Sequence, residues 1–96
     1  MMAVIAYDID TTNAEGRRRL HRVAKLCESA GSRVQDSVFE MNADPKRLET
    51  FLSLLGETID TERDTVRVYR LGDNCAGRIN IIGKAALSPY GNLIAV

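Results

Sequence analysis

The chain has 96 residues and a mass of 10.6 kDa, with 13 basic and 13 acidic side chains and a formal net charge of zero. That length fits one domain with one modest core and leaves little for a deep pocket of its own. At 45% hydrophobic and 27% charged residues, the composition excludes disorder and collagen-like repeats. No apolar run approaches the ~20 residues of a membrane helix, and Met1 to Asp8 lack the basic region of a secretory signal. A cytoplasmic protein with no membrane contact is the expectation.

Residues 3–9, rich in valine, isoleucine and tyrosine, predict a buried central strand that ends in Asp8-Ile9-Asp10. Thr12 with Glu15 three positions on matches a capping box, which predicts a helix from Asn13 or Ala14. Leu20, Val23, Ala24, Cys27 and Ala30 would form its apolar stripe, and Gly31 would stop it in the left-handed region. Arg33 to Met41 reads as one extended segment kinked at Asp36-Ser37. Asp44 can cap a second helix with Pro45 at its first position. Leu48, Phe51, Leu52 and Leu55 give its stripe, and Gly56 marks its end. Thr65 to Leu71 predicts a further strand, and Ile79 to Ile82 a short last one after the turn signal Gly72-Asp73-Asn74.

Each helix has a single apolar stripe, so both are expected on one face of a small sheet. The other face, with Ile81, Ile82, Leu93, Ile94 and Val96, then calls for cover. A symmetric dimer that adds the terminal segment to a neighbouring sheet edge supplies it.

Zero net charge conceals an uneven distribution. Arg17, Arg18, Arg19, Arg22 and Lys25 lie between Gly16 and Cys27 without an acid, whereas Glu57, Asp60, Glu62 and Asp64 crowd around one base, Arg63. A basic run is often only a solvated helix face. Here it sits near a helix start, where the dipole favours anions, and that mismatch points to a polyanion partner. The acids are expected to lie away from the arginine-bearing face, because within a Debye length (~8 Å) they would cancel its field.

Cys27, Cys75 and the sole histidine, His21, make no zinc set within one chain. Cys27 falls on an apolar stripe and reads as a small buried hydrophobe. Asp8 stands at the carboxyl end of the first strand, where α/β sheets place ligands, and Asp10 would face the same way on a regular strand. Oxygen ligands alone suit Mg2+ or Mn2+. Carboxylates in such turns also serve as simple caps, and spacing leaves both readings open.

Tyr7-Asp8-Ile9, the run Arg17-Arg18-Arg19, the string Gly31-x-Arg33-Val34-Gln35-x-Ser37-Val38-Phe39-Glu40 and the late Val66-Arg67-Val68-Tyr69-Arg70-Leu71 together resemble the small CRISPR-associated adaptation nuclease family, the partner of the CRISPR integrase. The likeness runs from residue 3 to about residue 83, and the Arg33 to Glu40 string is its most specific part. It implies an α+β, ferredoxin-like βαββαβ sandwich with both middle strands inside residues 33–41. It further implies a homodimer that exchanges a short terminal strand, with a domain over residues 1–83 and a tail over 84–96 packed on the partner.

The family's catalytic, metal-binding aspartate maps onto Asp8, which would face its twofold mate across a Mg2+ (Mn2+ as the alternative). Arg17, Arg18, Arg19 and Arg33 match phosphate-binding positions, and Tyr7 and Phe39 match aromatic positions around the site. Asp10 departs from the common pattern and is kept as a supporting group. The implied activity is a divalent-metal-dependent endonuclease that hydrolyses DNA or RNA phosphodiesters during spacer acquisition in antiviral defence. The alternative is a non-catalytic dimeric scaffold that bridges integrase dimers and binds prespacer DNA, and a toxin-like RNase of the same fold is a third reading.

Overall fold

In a computed structural model that describes residues 1–73, 77 and 79–83, the chain runs β1 (Met2–Asp8), α1 (Ala14–Ala30), β2 (Ser32–Gln35), β3 (Val38–Asn42), α2 (Pro45–Thr58) and β4 (Thr65–Gly72). The strands form one antiparallel sheet in the order β2-β3-β1-β4. With the two helices this is the α+β, ferredoxin-like sandwich that the resemblance implies. β1 lies between β3 and β4, with Ile5 opposite Phe39 on one side and Val68 on the other.

Alternation along β1 sorts its side chains by face. Ala3, Ile5 and Tyr7 join Phe39 and Met41 of β3, Val23 and Cys27 of α1, and Leu48, Phe51 and Leu55 of α2 in one buried cluster. Each of the larger side chains contributes roughly 1.5–3 kcal/mol by leaving water. Both helices therefore pack on the same face, as their single stripes require. Val4, Ala6 and Asp8 point the other way, across from Glu40, Val38 and Thr65 and beside Tyr69 and Arg67.

Several expectations are corrected. Asn13, not Thr12, caps α1, its side chain accepting from Gly16 N at 2.8 Å. Asp10 closes a turn on Thr12 just before it, its Oδ1 accepting from the Thr12 backbone N–H at 3.0 Å and from the hydroxyl at 2.7 Å. Gly31 ends α1 in extended backbone, φ −158°. Glycine is suited there because a Cβ would strike the Glu40 carbonyl of β3, not because a left-handed conformation demands it. Residues 33–41 are a hairpin, β2–turn–β3, with Asp36 and Ser37 as its turn and a register shift between Arg33 and Gln35.

Asp44 and Pro45 open α2 as read. The helix runs through Gly56 to Thr58, since one exposed glycine costs only about 1 kcal/mol in a helix that buries Leu48, Phe51 and Leu55. The anticipated strand over 79–82 reduces to a single bridge residue, Ile81. Ile79, Ile81 and Leu71 pack on Met2 in a small second cluster. Cys75 and residues 84–96, including Leu93, Ile94 and Val96, lie outside the described residues. Cys27 is buried, and that burial pushes its thiol up to about 11, the behaviour of an inert core cysteine.

Candidate functional site

The carboxyl end of β1 opens onto a cleft of about 740 Å³ whose lining includes Asp8, Arg17, His21, Lys25, Arg33 and Asp36. Asp8, the last residue of β1, is exposed and takes part in no ion pair or side-chain hydrogen bond among the described residues. Arg17, His21 and Lys25 recur every fourth residue, so α1 presents them along one line of the cleft whose edge Asp8 reaches. The fourfold spacing is the sequence signal that joins His21 and Lys25 to Arg17, and it is less conspicuous than the three consecutive arginines.

The basic run divides by helical geometry. Arg18 and Arg22 turn away from the cleft and, with Glu15, Arg19 and Thr58, border a smaller hollow of about 320 Å³. Among the described residues, Arg17, Arg18, Arg22 and Lys25 form no ion pair, although an Arg17 Nη1 hydrogen bond reaches Thr11 O at 3.4 Å. Arg33 of β2 lies with its guanidinium carbon 5.0 Å from the Phe39 ring centre and donates to Glu28 Oε1 at 2.6 Å.

Tyr7 and Phe39 face the helices. Their rings stack at 6.1 Å between centroids, and the Tyr7 hydroxyl donates to Asp36 O at 3.0 Å. Burial holds the Tyr7 phenol above its usual range, so this side chain braces the hairpin turn and is no ready proton donor. The order Tyr7–Phe39–Arg33 is thus a stack that supports the cleft wall.

Arg19 also borders that hollow, but its guanidinium is engaged by Asp64. Its Nε donates to Asp64 Oδ2 at 2.8 Å and its Nη2 to Oδ1 at 3.4 Å, with side-chain exposures of 13% for Arg19 and 0% for Asp64. The expectation that the acids of 57–64 sit away from the arginines therefore fails for Asp64. No local pattern advertised this pairing of residues 45 positions apart. Burial pushes the Asp64 carboxyl up, but the bonds from Arg19 and from the Asp60 and Asp10 amides outweigh it and leave it below the usual carboxylate range. Asp10 is likewise lowered, first by its hydrogen bonds to Thr12 and then by Arg63, whose Nη1 is 3.5 Å away. It acts as a turn cap, the plainer of the two roles its position allowed.

No group of three or more His, Cys, Asp or Glu able to hold a metal occurs among the described residues. Among the described residues that line the cleft, Asp8 is the carboxylate outside an ion pair, since Glu28 and Asp36 both lie against Arg33. That suits Mg2+, which commonly uses one or two carboxylates and completes its shell with water and substrate phosphate. It does not suit zinc, which needs a fuller protein donor set. No helix among the described residues is long and apolar enough to cross a membrane.

A four-stranded antiparallel sheet backed by two helices, with an acid ending its first strand at a cleft lined by a cationic helix, defines a small ferredoxin-like domain with a cationic edge. The chain belongs to the CRISPR associated protein Cas2 family, whose model matches residues 1–79. It is 43% identical over 94 residues to a CRISPR-associated endoribonuclease Cas2 of Rhodospirillum rubrum, covering 97% of this chain and 99% of the relative. A CRISPR-associated endonuclease Cas2 of Halalkalibacterium halodurans is 42% identical, with 86% of each chain covered. In three dimensions it resembles crystalline Streptococcus pyogenes Cas2, with a TM-score of 0.74 and 41% identity over 86% of this chain and all of that one.

Proposed function

We propose that the protein is a divalent-metal-dependent endonuclease of the CRISPR system, acting as a homodimer beside the CRISPR integrase in spacer acquisition. The observation that carries this reading is an exposed, uncommitted Asp8 at the mouth of a cleft lined on one side by Arg17, His21 and Lys25. The family relatives named endoribonuclease and endonuclease support it.

Two Asp8 carboxylates brought together across a twofold axis would hold Mg2+, or Mn2+, where one chain supplies too few ligands. The bound cation would supply Lewis acidity and a water of lowered pKa. Arg17 and Lys25 would neutralise the phosphates flanking the scissile bond, and Arg18 and Arg22 would extend the contact along the strand. Arg33, already stacked on Phe39, would exchange its bond to Glu28 for a phosphate oxygen. Binding of this kind displaces counterions and carries no base preference, so duplex DNA and single-stranded RNA are both candidate substrates.

The test uses labelled duplex DNA and single-stranded RNA with Mg2+. Asp8→Asn is expected to cut turnover by about 100-fold or more, while binding stays within about threefold, because it removes a ligand and leaves every arginine. Cleavage that survives Asp8→Asn or a chelator would refute the metal mechanism.

The four α1 cations without ion-pair partners among the described residues favour a second reading, a dimeric scaffold that grips prespacer DNA between integrase dimers. Spacer acquisition that is normal with Asp8→Asn but lost with Arg17→Gln/Arg18→Gln would select it.

A further inference from the structure

Two residues beyond Asp8, the chain is held from both sides. The Asp10 N–H donates to Asp64 Oδ1 at 3.0 Å. The Asp10 carbonyl lies against the bare Cα of Gly16, where a Cβ would collide with it. Ile9 between them is buried. The same Asp64 carboxylate accepts from Asp60 N at 2.8 Å and from both Arg19 donors. One buried side chain thereby ties together the β1–α1 loop, α1 and the α2–β4 loop.

A buried ion pair by itself adds little net stability, because desolvation offsets its attraction. What distinguishes this one is its bonding to backbone. Without the carboxylate, the amides of Asp10 and Asp60 would lose their partner in a part-buried setting, and the exit of β1 would be free to shift. A misplacement of about 1 Å at a reacting group is enough to cost on the order of 100-fold in rate.

We propose that Arg19 and Asp64 form a clasp that positions Asp8, and that Arg19 is a positioning residue and not a phosphate ligand. The functional half of this rests on the reading of Asp8 as the acidic centre given above. Arg19 orients the Asp64 carboxylate through Nε and Nη2, and Asp64 in turn holds the Asp10 amide at the root of the site.

The experiment compares Arg19→Gln, Asp64→Asn and Arg19→Lys with Arg17→Gln in the full-length protein. Three quantities are read: amide exchange at Asp10, turnover with Mg2+, and affinity for a fluorescein-labelled duplex at several salt concentrations. In Arg19→Gln and Asp64→Asn, exchange at Asp10 is expected to accelerate about tenfold or more and turnover to fall about tenfold or more. Duplex affinity should stay within about twofold, with an unchanged salt slope.

Arg17→Gln should do the converse, lowering the slope by about one and leaving Asp10 protected. Arg19→Lys, which keeps the charge and a donor, should recover most of the turnover. A salt slope that drops in Arg19→Gln as it does in Arg17→Gln would overturn the proposal, and so would an Asp10 amide as protected in the clasp variants as in the wild type. If Asp64→Asn does not fold, Arg19→Gln alone carries the comparison. A wild type that cleaves nothing would refute the nuclease reading, while exchange and salt slope would still decide the clasp.

Discussion

Two glycines inside helices show how one substitution can take opposite signs. At Gly56 of α2 an added Cβ meets nothing within 4 Å, so Gly56→Ala is expected to stabilise by about 0.5–1 kcal/mol, the ordinary helix-propensity gain. At Gly16 of α1 the same Cβ would run into the Asp10 carbonyl, and backbone cannot swing aside as a side chain does. Gly16→Ala is expected to lose that gain and destabilise by about 1–3 kcal/mol instead. Urea unfolding of the two variants checks both signs. Arg19 makes the parallel point about legibility. In the sequence it is the third of three like residues, and only the fold sets it apart, because a helix turns consecutive side chains about 100° from one another and brings this one against Asp64.

Among the elements, both helices were legible because their apolar positions recur at three and four, and because Asp44-Pro45 is an unambiguous start. The hairpin was not legible from pattern. Its turn, Asp36-Ser37, has no glycine to announce it, and Val34, which a kinked strand would have placed on a shared face with Val38, is half exposed. The resemblance supplied what periodicity could not.

Splitting α1 into a cleft-facing line and an outward line yields a prediction of its own. Under the proposed reading, Arg17→Gln/Lys25→Gln and Arg18→Gln/Arg22→Gln should each reduce the salt slope of duplex binding by about two, since each neutralised phosphate counts for nearly one. Only the first pair borders the cleft that holds Asp8, so only the first should also depress turnover on bound substrate, by about tenfold or more. Equal effects of the two pairs on turnover would place the scissile phosphate elsewhere than the cleft.

For the molecule as a whole, the proposed chemistry requires a second copy, because among the described residues the cleft of one chain presents one carboxylate outside an ion pair. The sheet face turned away from the helices is where Asp8 stands, and it also carries Val4, Ala6, Val38 and Tyr69, the last 50% exposed. Glu40 on this face is half-buried, and that burial holds its carboxyl above its usual range. Tyr69→Glu would place a charge there while leaving the buried cluster around Phe39 untouched. If this face is the twofold interface, the variant should sediment as a monomer and lose turnover by about 100-fold with Asp8 intact. Mixing separates dependence on pairing from mere loss of solubility. After subunit exchange between equal amounts of wild type and Asp8→Asn, about a quarter of the dimers keep both carboxylates, whereas chains acting singly would retain about half of the activity. A residual rate near one quarter would require two Asp8 side chains at each site, and a rate near one half would mean that each chain works alone.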